Sequence, residues 1–129
     1  MRQFALQFAR AGVPIVPLKV SFENGRWRKR PHIKDWAARA TTNEATIETW
    51  WRSWPQAHIG VPLEPLNLVV IDADRHPGGP DGVAALSAIA LPPHQAVVTM
   101  SDGEHHFFRQ PAPRIRFAAF EGIQVLGDG

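Results

Sequence analysis

Helical spacing of apolar residues marks the N-terminal half of the chain, and short apolar runs mark the rest. In RQFALQFARAG, residues 2–12, Phe4, Phe8 and Ala11 fall on one helical face with Leu6 to the side. That spacing predicts a helix closed by Gly12. VPIVPL, 13–18, is short and apolar, and its prolines predict an edge or extended segment. Residues 19–35 are polar and basic, with Asn24-Gly25 as a turn. The clearest helix is TTNEATIETWWRSW, 41–54, where Ile47, Trp50, Trp51 and Trp54 form an apolar stripe. Thr41 and Glu44 are spaced for a capping box, and Pro55 ends the helix.

After residue 57 the elements shorten. HIGVPL at 58–63 and the run at 66–72 read as strands, followed by a Gly/Pro loop at 76–80. DGVAALSAIA, 81–90, is helical and stopped by Pro92 and Pro93. AVVTM, 96–100, and HHFFR, 105–109, flank the turn SDGE and predict a hairpin. A Pro-rich connection at 110–121 leads to a last strand, GIQVL, at 122–126. Two helices followed by strands with one inserted helix predict an α+β fold. At 129 residues the chain reads as a single domain, a helical and basic part at about 1–57 and a sheet part at about 58–129. The closing VLGDG is a turn signal with no following strand, which suggests a piece cut from something longer.

Composition narrows the class. A hydrophobic content of 44% with 20% charged residues is that of a globular chain. The formal charge is only +2, so any anionic partner must be met by local rather than global charge. Cysteine is absent, which excludes disulfides and thiolate chemistry and leaves His, Asp and Glu as metal ligands. No apolar stretch approaches the roughly 20 residues of a membrane span, and the N-terminus lacks a signal-peptide core. A soluble cytoplasmic protein is the expectation.

Three stretches can carry chemistry. In LVVIDADRH, residues 68–76, a buried strand delivers Asp72 and Asp74 to the same side. Two adjacent carboxylates repel unless a cation lies between them. Paired oxygen ligands suit Mg²⁺ or Mn²⁺, particularly with phosphate oxygens completing the shell. The plainer reading, Asp74 capping a turn and Asp72 paired with an arginine, is as compatible with this short spacing. In SDGEHHFFR, the turn through Ser101 and Gly103 opens a strand at His105. An imidazole beside free turn N–H groups can hold a phosphate. His105, Phe107 and Arg109 share one face, and His106 is expected at a solvated rim. In GRWRKRPHIKDW, Arg26, Arg28, Lys29, Arg30 and Lys34 interleave with Trp27 and Trp36. Cations with flat aromatics suit single strands or nucleotides, although a solvated hairpin loop has the same composition. The tryptophans at 50, 51 and 54 read as core.

In order, these elements are a helix, V-P-I-V-P-L, a basic run ending in Trp, A-T-T with W-W and W-P, H-I-G-V, V-V-I-D-A-D and S-D-G-E-H-H-F-F-R. The series resembles the N-terminal catalytic domain of bifunctional DNA primase/polymerases, the Prim-Pol branch of the archaeo-eukaryotic primase superfamily, over almost the whole chain. The resemblance implies an RRM-like sheet with flanking helices and template-directed nucleotidyl transfer in bacterial, phage or plasmid replication. It implies Mg²⁺ or Mn²⁺ on Asp72 and Asp74, which with His105 form the catalytic set. His105 would contact the triphosphate, assisted by Ser101, Gly103, Arg30 and Lys34. Single-stranded DNA template, nucleoside triphosphates and a helicase domain or protein are the implied partners. The family's third acidic motif maps onto GIQVLGDG, where the position holds Gln124. Glutamine is neutral and a weak metal ligand. Two activities therefore stay open, a working primase/polymerase and a catalytically degenerate nucleotide- or nucleic-acid-binding domain. A metal-dependent glycosyltransferase, which also grips a diphosphate through D-x-D, is a more distant alternative.

Overall fold

A computed structural model describes residues 1–99 and 102–127. The fold is α+β with antiparallel sheets, and the chain forms two compact units, Met1–Pro62 and Leu63–Gly129. Among the described residues no helix is long and apolar enough to cross a membrane.

The N-terminal unit contains helix α1 (Arg2–Arg10), strands β1 (Val16–Glu23) and β2 (Arg26–Pro31), and helices α2 (Trp36–Arg39) and α3 (Glu44–Ser53). Strand β3 (His58–Gly60) completes it, in a sheet of order β2-β1-β3. Its core is Ala5 and Ala9 of α1, Ile15 and Val16 of β1 and its approach, and Ile47, Trp50 and Trp51 of α3. Small residues on α1 make room for the tryptophans of α3, and Trp51 Nε1 donates to the Ala57 carbonyl at 3.2 Å. At the rim, Arg10 clamps Glu44 through two hydrogen bonds of 3.1 and 2.8 Å. The guanidinium holds the Glu44 carboxyl below its usual range.

Several local expectations are revised. The proline-bearing segment is extended, as expected, but it leads into the central strand rather than an edge. Pro17 is tolerated there because its backbone faces the β2 side. His32 N–H donates to its carbonyl at 2.9 Å, and paired β2 has already ended at Pro31. The cap of α3 is Asn43, whose Oδ1 accepts from Thr46 N–H at 2.9 Å, while Thr41 Oγ1 accepts from Asn43 N–H at 3.0 Å. Glu44 is turned to Arg10 and closes no capping box. The strand at 58–60 pairs with β1 and so belongs to the N-terminal unit rather than with the Asp72 sheet.

The C-terminal unit starts with a 3-10 turn (Glu64–Leu66). It then runs through β4 (Leu68–Ala73), α4 (Gly82–Ser87), β5 (Gln95–Val98), β6 (Glu104–Arg109), β7 (Phe117–Phe120) and β8 (Ile123–Leu126). The sheet order is β5-β6-β4-β8-β7, with each neighbouring pair antiparallel. Strand β4 is therefore central, and Val69, Val70 and Ala73 are buried on its two sides. Helix α4, capped by Asp81 Oδ1 on Ala84 N–H at 2.9 Å, sets Val83 and Leu86 against Ala73, with Ile71 and Ile123 beside them. The last strand does have a hairpin partner. It is the upstream β7, reached through Gly122 at φ 73°, and the Pro-rich connection supplies it.

The two candidate caps of α3 are separable. Asn43→Ala is expected to lower unfolding free energy by about 1 kcal/mol in urea titration, and Glu44→Ala by less, since its ion pair is exposed.

Candidate active site

Strand register builds the site. Asp72 of β4 lies opposite His105 of β6 on one side and opposite Gln124 of β8 on the other. Residues directly opposed across antiparallel strands present their side chains to the same face. A row His105–Asp72–Gln124 thus crosses three strands. Asp72 Oδ1 and His105 Nε2 approach to 3.2 Å, with the carboxylate 19% and the imidazole 40% exposed. The His105 ring also meets Phe107 edge-on at 6.2 Å.

Asp74 follows β4 directly and its backbone is pinned twice. Its N–H donates to the Gly122 carbonyl at 2.8 Å, and its carbonyl accepts from Gly82 N–H at 2.9 Å. Continuing the β4–β6 register places it opposite Gly103, on the face of Asp72. A Cβ on Gly103 would lie 2.8 Å from the Ala73 carbonyl, 3.0 Å from Thr99 Oγ1 and 3.3 Å from Asp74 Oδ1. Gly103 is therefore the residue that lets the hairpin close onto the end of β4 beside the Asp74 carboxylate.

The same turn uses its own donors. Gly103 N–H donates to Thr99 Oγ1 at 3.1 Å, Asp102 N–H to the Thr99 carbonyl at 3.2 Å, and Thr99 N–H to the Gly103 carbonyl at 2.8 Å. The expected free N–H at Gly103 is thus engaged within the turn, and this glycine's contribution is space. Ser101, also expected at a phosphate, lies outside the described residues. Among the described residues no three His, Asp or Glu side chains form a ready metal cage.

His106 overturns the expectation of a solvated rim. It is 8% exposed, on the opposite face from His105. Its Nδ1 lies 2.8 Å from His94 Nε2 and its Nε2 lies 2.8 Å from Glu104 Oε2, while His94 Nδ1 lies 2.8 Å from the Pro92 carbonyl. Both ends of this chain are acceptors. Sequence reasoning missed the cluster, although Glu104 and His106 stand two apart on a strand and so share a face.

The basic run behaves differently from its composition. It is the two-stranded ribbon β1–β2 of the N-terminal unit, joined at Asn24 (φ 52°) and Gly25 (φ 75°). Strand alternation sends Lys19, Arg26, Arg28 and Arg30 to one face, and Val20, Phe22, Trp27 and Lys29 to the other. Phe22 and Trp27 meet edge-on at 5.2 Å. The three arginines of β2 are thereby turned away from the aromatics, and Lys29 alone of the β2 cations stays on the face of Trp27. Arg30 makes two 2.9 Å hydrogen bonds to Glu23, and Ser21 Oγ donates to the same carboxylate at 2.6 Å. The Ser21 and Arg30 donors hold the Glu23 carboxyl below its usual range. Lys34 is exposed beyond the end of β2, and Trp36 packs against the N-terminal core.

Gly103→Ala is expected to destabilise the protein by about 1–3 kcal/mol, as overpacking does. In NMR spectra its largest shift changes should fall on residues 72–74 and 99–104.

A family model described as the N-terminal domain of bifunctional DNA primase/polymerases matches residues 5–127. No curated protein and no solved structure matches.

Proposed function

The chain belongs to the bifunctional DNA primase/polymerase N-terminal domain family, and from that premise we propose that it performs metal-dependent, template-directed nucleotidyl transfer. The observation that supports this reading best is the row His105–Asp72–Gln124 across three strands, with Asp74 two residues beyond Asp72, all on one face of the sheet. In this reading the sheet of the C-terminal unit is the RRM-like catalytic sheet of the primase superfamily.

The donor set fits a hard divalent cation in its chemistry. Asp72 and Asp74 offer carboxylate oxygens from one strand end. These two residues would hold Mg²⁺ or Mn²⁺. When bound, the ion supplies charge neutralisation for triphosphate oxygens in an in-line displacement. His105 has a half-exposed ring and would donate a hydrogen bond to a phosphate oxygen. Its contact with Asp72 fixes the ring's direction before substrate arrives. A single-stranded DNA template and a nucleoside triphosphate are the substrates on this reading, with a helicase acting in the same system.

A second reading rests on a specific residue. Gln124 sits directly opposite Asp72, where a third acid would complete the cage, and glutamine brings no charge. A domain that binds nucleotide or nucleic acid without turnover is the alternative. Incorporation of nucleotides on primed and unprimed single-stranded templates, with Mn²⁺ or Mg²⁺, separates the two. Product lost in Asp72→Asn supports catalysis, and no product from the wild-type chain supports the degenerate domain.

Metal binding is expected to be weak for the protein alone and stronger with a triphosphate present, as read by Mn²⁺ titration. Gln124→Glu should tighten it by adding a charged ligand. An unchanged affinity would mean that position 124 is not part of the metal site.

A further inference from the structure

The N-terminal unit holds a pocket of about 560 Å³ between the β ribbon and the end of α3, lined among others by Lys19, His32, Ser53, Trp54 and Gln56. The imidazole of His32 lies flat on the Trp54 indole, with ring centroids 4.7 Å apart and planes 14° apart. The backbone bond from His32 to Pro17 continues the β1–β2 register. His32 therefore shares the ribbon face of Arg30 and Arg28, with Lys19 across from Arg30. Along that face the groups run from the aromatic stack to Lys19 and Arg30, then to Ser21 and Arg28, then to Glu23 and Arg26, with the Glu23 carboxylate folded back onto Ser21 and Arg30. Successive positions are two strand residues apart, about 6.8 Å, close to the phosphate step of an extended single strand. Arg30 is committed to Glu23, whereas Lys19 and Arg28 form no ion pair among the described residues.

We propose that this pocket is a subsite for one nucleotide of a single strand, its base against the His32–Trp54 stack and its phosphate at Lys19, with the strand continuing along the ribbon face toward Arg28. The proposal rests on reading the chain as a nucleic-acid-handling domain. Aromatic stacking tolerates any base, so this subsite grips a strand without selecting sequence.

Proton linkage offers an independent mark. Burial, then the charge of Lys19, hold the His32 imidazole below its usual range, which leaves it neutral near pH 7. The charged groups facing it are Lys19 of β1 and Arg30 of β2. The end of α3 brings the neutral Ser53 and Gln56, and β3 begins with His58, in register with Leu18. No carboxylate lines the pocket, and Glu23, on the same ribbon face, is engaged by Arg30 and Ser21. An incoming phosphate supplies that anion and favours the imidazolium, so binding takes up a proton and strengthens as pH falls.

The test is fluorescence anisotropy of a labelled oligothymidylate at controlled salt. Lys19 is exposed, so Lys19→Ala leaves the fold intact. It should weaken binding several-fold and flatten the log–log salt slope by roughly 0.7, the value for one phosphate contact on a single strand. Lys29→Ala, on the opposite ribbon face, should leave the slope unchanged. Wild-type protein should bind more tightly at pH 6 than at pH 8, and His32→Phe, which keeps a ring on Trp54, should remove that difference. Equal effects of the two lysine variants, or a pH dependence that survives His32→Phe, overturn the subsite while leaving nucleic-acid binding in place. Absence of any oligonucleotide binding by the wild-type chain overturns the underlying reading as well.

Discussion

Pairing of β4 with both its neighbours is the constraint on which the candidate site depends. Asp72 meets His105 and Gln124 only because the ladders to β6 and β8 hold one register. A slip of one residue would carry Asp72 to the face of Ala73, Val83 and Leu86, where apolar side chains would meet the carboxylate. The core thus enforces the register, and the register assembles a constellation whose members lie far apart in sequence. Gly103 and the two backbone bonds of Asp74 carry the same constraint one step past the strand end, where ladder bonds stop.

Behind that face, the His94–His106–Glu104 chain does structural work with polar groups. It ties the approach to β5 onto β6, and His94 also stacks on Phe108 at 4.9 Å. The ring on the site face and the ring on the rear face are adjacent in sequence, yet strand alternation gives them unrelated surroundings. His105 is half-exposed beside a carboxylate. His106 is buried, with each nitrogen used.

Legibility in the sequence followed the range of the interactions. The stripe of Ile47, Trp50 and Trp51, the Asn24-Gly25 turn and the hairpin of β5 with β6 depend on near neighbours, and their signals stand in the chain. The same-side placement of Asp72 and Asp74 needed only strand alternation. Distant partners left no such mark. Nothing near Asn43 shows that Glu44 would turn to Arg10, and nothing near Pro17 shows that its carbonyl-only edge would face the end of β2. The alternating cations and aromatics of residues 26–30 suggested a mixed surface. In the strand, alternation turns Arg26, Arg28 and Arg30 away from Trp27 and leaves Lys29 beside it. The burial of His106 required His94, twelve residues upstream, to arrive from the far side of a turn.

Holding the site by pairing rather than by its connections decides where the chain can grow. The segments between β4 and β5 and between β6 and β7 join strands whose alignment is fixed elsewhere. Lengthening either adds loop-closure entropy that rises only as the logarithm of length, about 0.6 kcal/mol for each doubling. Insertions in the exposed part of 75–81 or in 110–116 would leave Asp72, His105 and Gln124 in place. The turn at 99–103 has no such latitude, because Thr99 and Gly103 close it with bonds that set the hairpin against Ala73 and Asp74.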